Sequence, residues 1–232
     1  MKILSVECSA GPASCAIIDN DTIIASAQVN AKLTHSQTLM PMILNMLNNS
    51  CTNLSDIDKI AIAVGPGSFT GLRIGISAVK GLATPNDIPC VAVSTLEAMA
   101  YQFLDYDCIV CAVMDARCNQ YYNAIFETNN GCITRLCEDR ALLGNELKEE
   151  ILNIAKDKKI IICGDGADLF YQNVCDNNNI QLASQNLKYQ SAIGVAMCAY
   201  YKDNNTISHK DLLPTYLRLP QAERELKAKN GG

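Results

Sequence analysis

Residues 60–71 read Ile-Ala-Ile-Ala-Val-Gly-Pro-Gly-Ser-Phe-Thr-Gly. The unbroken apolar run 60–64 predicts a strand buried on both faces of a sheet. Glycine and proline at 65–67 predict a tight turn. A helix is expected over 70–83, about 20 Å long at 1.5 Å per residue, with Pro85 ending it. Upstream, 3–6, 14–18 and 22–29 predict three strands with links too short for anything but antiparallel neighbours. Thr34-His35-Ser36-Gln37 reads as a capping box with Thr34 as N-cap. Leu39, Ile43, Met46 and Leu47 then recur at helical spacing, with Pro41 expected to kink the helix. Downstream, 90–93 predicts another buried strand and 96–103 a helix. The order β-β-β-α-β-α-β-α is one half of an α/β fold with a mixed sheet.

The second half begins in the same way. Strands are expected at 108–114, 121–126 and 132–136, a helix at 146–156 and a strand at 159–163. Helix 192–201 follows, then an extended segment at 214–218 and a polar closing helix at 221–229. The Asn-rich run 176–179 predicts a loop. No residue-level repeat is visible, yet the matching order predicts a duplicated, diverged fold with its boundary near residues 101–107.

With 232 residues, 49% of them apolar, the chain can bury a substantial core. Charged residues make up 19%, which excludes a disordered chain. A net charge of −5 argues against unaided binding of nucleic acid, which calls for a basic face. No run of 18 apolar residues predicts a membrane span, and the N-terminus lacks the apolar core of a secretory signal. The 12 cysteines are then read as reduced, mostly buried thiols in a cytoplasmic protein.

Few residues invite chemistry. Gly65, Gly67 and Ser68 lie between a buried strand and a helix start, where free N–H groups and the helix dipole could hold an anion. No Gly-Lys-Ser/Thr follows, so this is not a P-loop, and the plainer reading is a turn with Ser68 or Thr70 as N-cap. Cys108 and Cys111 resemble half a zinc knuckle, but strand residues three apart point to opposite faces. His35 and His209 are the only histidines. They form no His pair for a metal, and no Gly-x-Ser-x-Gly elbow is present. Glu7 is a lone carboxylate facing a turn, suited to bonding turn amides. Helix 70–83 sets Gly71, Gly75, Ala78 and Leu82 on one stripe, with Leu72, Ile76 and Val79 beside it. Such a stripe either packs on its own sheet or admits a partner helix at close range. Met40, Met42 and Met46 on the preceding helix are adaptable in the same way.

The run 65–83, GPGSFTGLRIGISAVKGLA, resembles the signature of the bacterial TsaB (YeaZ) family. So do HSQTLMPMI at 35–43, VSTLEAMA at 93–100, MDARCNQYYNAIF at 114–126 and PTYLRLPQAE at 214–223. The resemblance implies the duplicated actin, sugar-kinase and heat-shock ATPase-like (ribonuclease H-like) fold, two lobes with mixed sheets and flanking helices. On that plan 1–103 form the N-terminal lobe and 104–213 a smaller, diverged lobe. Residues 214–232 form a C-terminal segment whose packing place stays open.

It also implies a non-catalytic, obligatory subunit for making threonylcarbamoyladenosine in tRNA. Its partners would be the catalytic paralogue TsaD and, through the complex, the ATPase TsaE. A homodimer is implied for the chain alone, contact with tRNA only within the complex, and no cofactor, metal or membrane. The expected interface comprises His35, Leu39, Met42, Ile43 and Met46 with Gly71, Leu72, Gly75, Ile76 and Val79. Glu7, Ser9, Gly65, Gly67 and Ser68 would be a degenerate nucleotide loop. TsaD's metal-binding His-x-x-x-His aligns with Thr95 and Met99, which cannot replace imidazoles. The acid that follows a Thr-Ser pair in its first nucleotide loop has no counterpart in Glu7-Cys8-Ser9-Ala10-Gly11-Pro12, and its Gly-Gly loop survives only as a faint echo in Gly164-Asp165-Gly166-Ala167. Within the TsaB pattern, Gln37 replaces an acid and Val79 an alanine. Two other functions compete: a residual nucleotide-binding ATPase of the same superfamily, and a glycoprotease-like peptidase, which two scattered histidines disfavour.

Overall fold

The computed structural model describes residues 1–31, 33–174, 179–202 and 206–218. Strand β1 (Lys2–Glu7) pairs antiparallel with β2 (Ala13–Asp19), and β2 antiparallel with β3 (Thr22–Val29). Helix α1 (His35–Asn49) leads to β4 (Lys59–Gly65), parallel to β1. Helix α2 (Phe69–Ala83) leads to β5 (Cys90–Ser94), parallel to β4. Helix α3 (Thr95–Ala100) starts at once, the Ser94 hydroxyl accepting the Glu97 N–H at 3.2 Å.

The plan then repeats. Strands β6 (Cys108–Asp115), β7 (Gln120–Asn129) and β8 (Cys132–Arg135) form an antiparallel meander, and β9 (Arg140–Leu143) also pairs with β7. Helix α4 (Gly144–Ala155) leads to β10 (Ile160–Cys163), parallel to β6. Helix α5 (Ala167–Val174) precedes β11 (Ile180–Leu182), parallel to β10. Sheet order β5-β4-β1-β2-β3 thus recurs as β11-β10-β6-β7-β8. The duplication is plain in the topology although no sequence repeat survives.

Helix α6 (Gln185–Lys188) is followed by α7 (Ala192–Tyr201) and β12 (Thr206–Ile207), and these last two correct the expected lobe boundary. Val195, Ala196 and Ala199 of α7 pack with Ile3, Ala61 and Val91, and β12 pairs with β5. The chain therefore returns to the first lobe near residue 191 rather than staying in the second to 213. Helix α7 is apolar on every side, so its sequence does not reveal which sheet it covers. Residues 214–218 also lie on the first lobe, the Thr215 N–H donating to the Val64 carbonyl at 2.8 Å. The expected helix 221–229 and most of the Asn-rich run lie outside the described residues.

Helices α1 and α2 cover one face of the first sheet, where Leu39, Ile43, Ile76 and Val79 pack on Leu4, Val6, Ile60 and Ile62. At the start of α1 the capping box does not form. Thr34 occupies the N-cap without a capping bond, and its hydroxyl accepts instead from the Ser36 hydroxyl at 3.3 Å. Cys108 and Cys111 project into different cores on opposite faces of β6, as strand geometry requires.

Candidate functional site

Strands β1 and β4 are parallel neighbours, so the loops after them meet. A Cβ on Gly67 would fall 2.5 Å from the Ser9 carbonyl oxygen. The Ser68 N–H donates to that oxygen at 2.6 Å, and the Ser68 hydroxyl accepts the Gly71 N–H at 3.3 Å. Ser68 is therefore the N-cap of α2, and its own amide is already bonded. Gly65, at φ +131°, turns the chain where a side chain would collide with the Thr215 carbonyl.

Glu7 lies beneath this loop with no exposed surface, its Oε1 accepting the Ser9 N–H at 2.5 Å. Burial pushes its carboxyl up to about 7; the Ser9 hydroxyl and N–H oppose this and the charge of Asp165 adds to it.

Facing Ser9, Gly67 and Ser68, the second lobe contributes Asp115, Arg117, Tyr122 and Asp165 to a cleft of about 500 Å³. Burial raises the Asp165 carboxyl, although Gln190 Nε2 donates to it at 2.9 Å. Asp115 accepts the Arg117 N–H at 2.7 Å in a hairpin where Arg117, Cys118 and Asn119 all have positive φ. Two carboxylates on the wall and a third below disfavour a bare phosphate. Among the described residues, no group of three or more His, Cys, Asp and Glu side chains gathers for a metal ion. Thr95 and Met99 stand one turn apart on α3, both without exposed surface.

The helix pair departs from expectation. Leu39, Ile43, Leu72 and Val79 are at most 1% exposed, and Met42, Met46 and Ile76 are also buried. All but Leu72 belong to one core with β1 and β4. A Cβ on Gly71 would run into the Cys8 carbonyl, and one on Gly75 into Cys8 Sγ with Ile62 Cδ1 at 3.1 Å. The small residues admit the chain's own strand, so these positions are core and not a docking face. His35 is half-buried, with Nε2 2.8 Å from the Ala10 carbonyl, and ties α1 to the loop after β1.

What α1 and α2 offer to solvent is the opposite face: Pro41, Leu44 and Asn48, then Arg73, Ser77 and Gly81. Leu44 is 53% exposed, and Ile74 and Ala78 are half-buried. Only the three-and-four spacing away from the core stripe could have marked them. A second unforeseen feature lies beside them. Tyr216 stacks on Phe69 with ring centroids 4.3 Å apart, and its hydroxyl accepts from Arg73 Nε at 2.8 Å.

Comparison with known proteins places this geometry. A family model described as "TsaD: tRNA N6-adenosine threonylcarbamoyltransferase" matches residues 27–223. The tRNA threonylcarbamoyladenosine biosynthesis protein TsaB of Bacillus subtilis (strain 168) is 31% identical over 227 residues, 96% of each chain. The chain belongs to the TsaB (YeaZ) family. TsaB of Escherichia coli (strain K12) is 28% identical over 233 residues, 99% of this chain and 100% of that one. The structure of YeaZ from Pseudomonas aeruginosa superposes with a TM-score of 0.76 at 24% identity, covering 93% of this chain and 99% of that chain. The two-lobed α/β fold, with mixed sheets flanked by helices, is therefore shared with that structure.

Proposed function

We propose that this chain is a non-catalytic subunit of a tRNA threonylcarbamoyladenosine-synthesising complex, and that it holds a TsaD-like paralogue on the outward face of α1 and α2. The family supplies the complex, and the exposed face supplies the surface. Leu44, Ile74, Ser77, Ala78 and Gly81 are small and aliphatic residues on this face, bordered by Arg73 at the start of α2 and open where a Cβ on Gly81 would meet nothing. This is the single observation that carries the assignment, because small residues on a helix pair let further helices pack closely. In this reading a TsaE-like ATPase and tRNA reach the chain only through the complex, and the chain pairs with itself when alone. A cytoplasmic setting suits its 12 cysteines; no helix among the described residues is long and apolar enough to cross a membrane.

The test is co-expression with the TsaD-like paralogue, followed by pull-down and a tRNA modification assay. Ser77→Arg should weaken capture tenfold or more, about 1.4 kcal/mol, and lower modification in parallel. Modification of tRNA by this chain alone would overturn the non-catalytic assignment. A second reading rests on the interlobe cleft, whose Ser9, Ser68 and Asp115 would suit a residual nucleotide site if a cation entered with the phosphates. Calorimetry of the isolated chain with Mg-ATP decides it, tight binding favouring this second reading.

A further inference from the structure

The charges of α1 and α2 are all of one sign. Helix α1 contains no Asp, Glu, Lys or Arg, and α2 contains Arg73 and Lys80 but no acid. The chain as a whole carries −5, so this helix pair is a cationic spot on an acidic protein. Lys80 serves the far end of α2, where its ammonium donates to the Lys210 carbonyl at 3.1 Å. Arg73 stands about 10 Å away along the helix and begins the exposed line Arg73, Ser77 and Gly81. It is exposed yet held. Its Nε donates to the Tyr216 hydroxyl at 2.8 Å, and the guanidinium carbon lies 5.7 Å from the centre of that ring. The ring is fixed in turn, stacked on Phe69 with centroids 4.3 Å apart and planes 24° apart. The backbone beside it is fixed too, through the 2.8 Å bond from the Thr215 N–H to the Val64 carbonyl. One of the five guanidinium donors is used in this way. Among the described residues the other four, on the two Nη atoms, have no hydrogen-bond partner, and Arg73 makes no ion pair.

We propose that Arg73 anchors the docking face, its free Nη pair binding one side-chain carboxylate of the paralogue through two parallel hydrogen bonds. This rests on the docking face assigned above and names what that face selects. A planar guanidinium fork matches a carboxylate, and a lysine ammonium does not. A loose ion pair on a surface contributes little, because two long side chains must be frozen to make it. Here Tyr216 has already fixed one of the two, so less freedom is lost when the partner docks. Arginine held in this way is the residue type that carries interface energy. Charge favours a protein over a nucleic acid as the occupant. A phosphate backbone calls for a row of cations, whereas Arg73 stands alone at this end of α2 and Lys80 is bonded elsewhere. The net negative charge of the chain repels acidic surfaces in general, so an attractive point at Arg73 also fixes where an acidic partner lands.

The test measures affinity of the full chain for the TsaD-like paralogue from about 0.05 to 1 M salt, a range over which charge screening tightens from more than ~10 Å to about 3 Å. Arg73→Gln should weaken binding tenfold or more at low salt, and the gap from the unaltered chain should narrow several-fold at high salt. Arg73→Lys keeps the charge and loses the fork, and it should recover less than half of the loss. Circular dichroism checks that each variant stays folded. Equal affinity of Arg73→Gln and the unaltered chain would overturn the proposal. So would a gap that is constant at every salt concentration, which a merely structural role would give, or full recovery by lysine. Unchanged affinity for the paralogue with weaker binding of tRNA by the assembled complex would give Arg73 a phosphate contact instead, and would also overturn it. If Ser77→Arg weakens capture while Arg73→Gln does not, the anchor alone fails. If neither variant weakens capture, the docking face itself falls.

Discussion

Glu7 ends β1 with no exposed surface and a carboxyl pushed up to about 7 from an ordinary 4.5, chiefly by burial. In the unfolded chain it ionises near its ordinary value, so between about 4.5 and 7 the folded form holds the proton that the unfolded form has lost. A raised acid therefore lowers stability as pH rises through that window, by up to about 3 kcal/mol for a shift of this size. Glu7→Gln keeps an acceptor for the Ser9 N–H and removes the titration. Urea unfolding should show the unaltered chain losing stability from pH 5 to pH 8 and the variant losing much less. A parallel loss in both would mean that another group carries the effect. Glu7 was legible in sequence as a carboxyl bonded to turn amides. Its burial was not, because the residues that enclose it come from loops far apart in the chain.

Helix α2 separates two roles that its sequence merges. An apolar stripe at helical spacing records which side is buried and not what buries it. Gly75 and Val79 therefore fit equally well against a partner or against β1, and only the tertiary contact with Cys8 and Ile62 settles the matter. Gly75→Val should overpack that contact and cost about 1–3 kcal/mol of stability, seen as a lower melting temperature of the chain alone. Ser77→Arg, one turn face away, should leave the melting temperature within a degree or two, as exposed substitutions do, while weakening paralogue capture. Melting temperatures that move in the reverse order would return Gly75 to the docking face. The long, periodic elements were all readable. The short ones, β9, β11, β12, α5 and α6, were not, since two to eight residues hold too little periodicity. The Phe69–Tyr216 stack joins residues 147 positions apart and left no local signal.

The two lobes share more than a chain crossing. Helix α3 lies between the sheets: its Ala98 packs with Ala61 and Val91 of the first, its Leu96 and Met99 with Val110 and Phe126 of the second. Glu97 of the same helix pairs with Lys202 after α7 and with Arg135 on β8, while Arg135 also holds Asp139 and lies over the Phe126 ring, 4.8 Å from its centroid. On the far side of the cleft, Arg218 Nη1 donates to the Ala116 carbonyl at 3.0 Å. Both ends of the interlobe contact are thus tied, one by a partly buried ion-pair network and one by the returning chain. Lobes coupled in this way should unfold together, with calorimetric and van't Hoff enthalpies that agree. Arg135→Ala removes two ion pairs and the ring contact in a single step and, among the described residues, leaves Asp139 with the Ser94 hydroxyl at 2.5 Å. The expected cost is about 1–3 kcal/mol, with the transition broadening as the second lobe loosens first. A sharp, unshifted transition in the variant would mean that the α3 core alone couples the lobes. Two separate transitions in the unaltered chain would mean that nothing does.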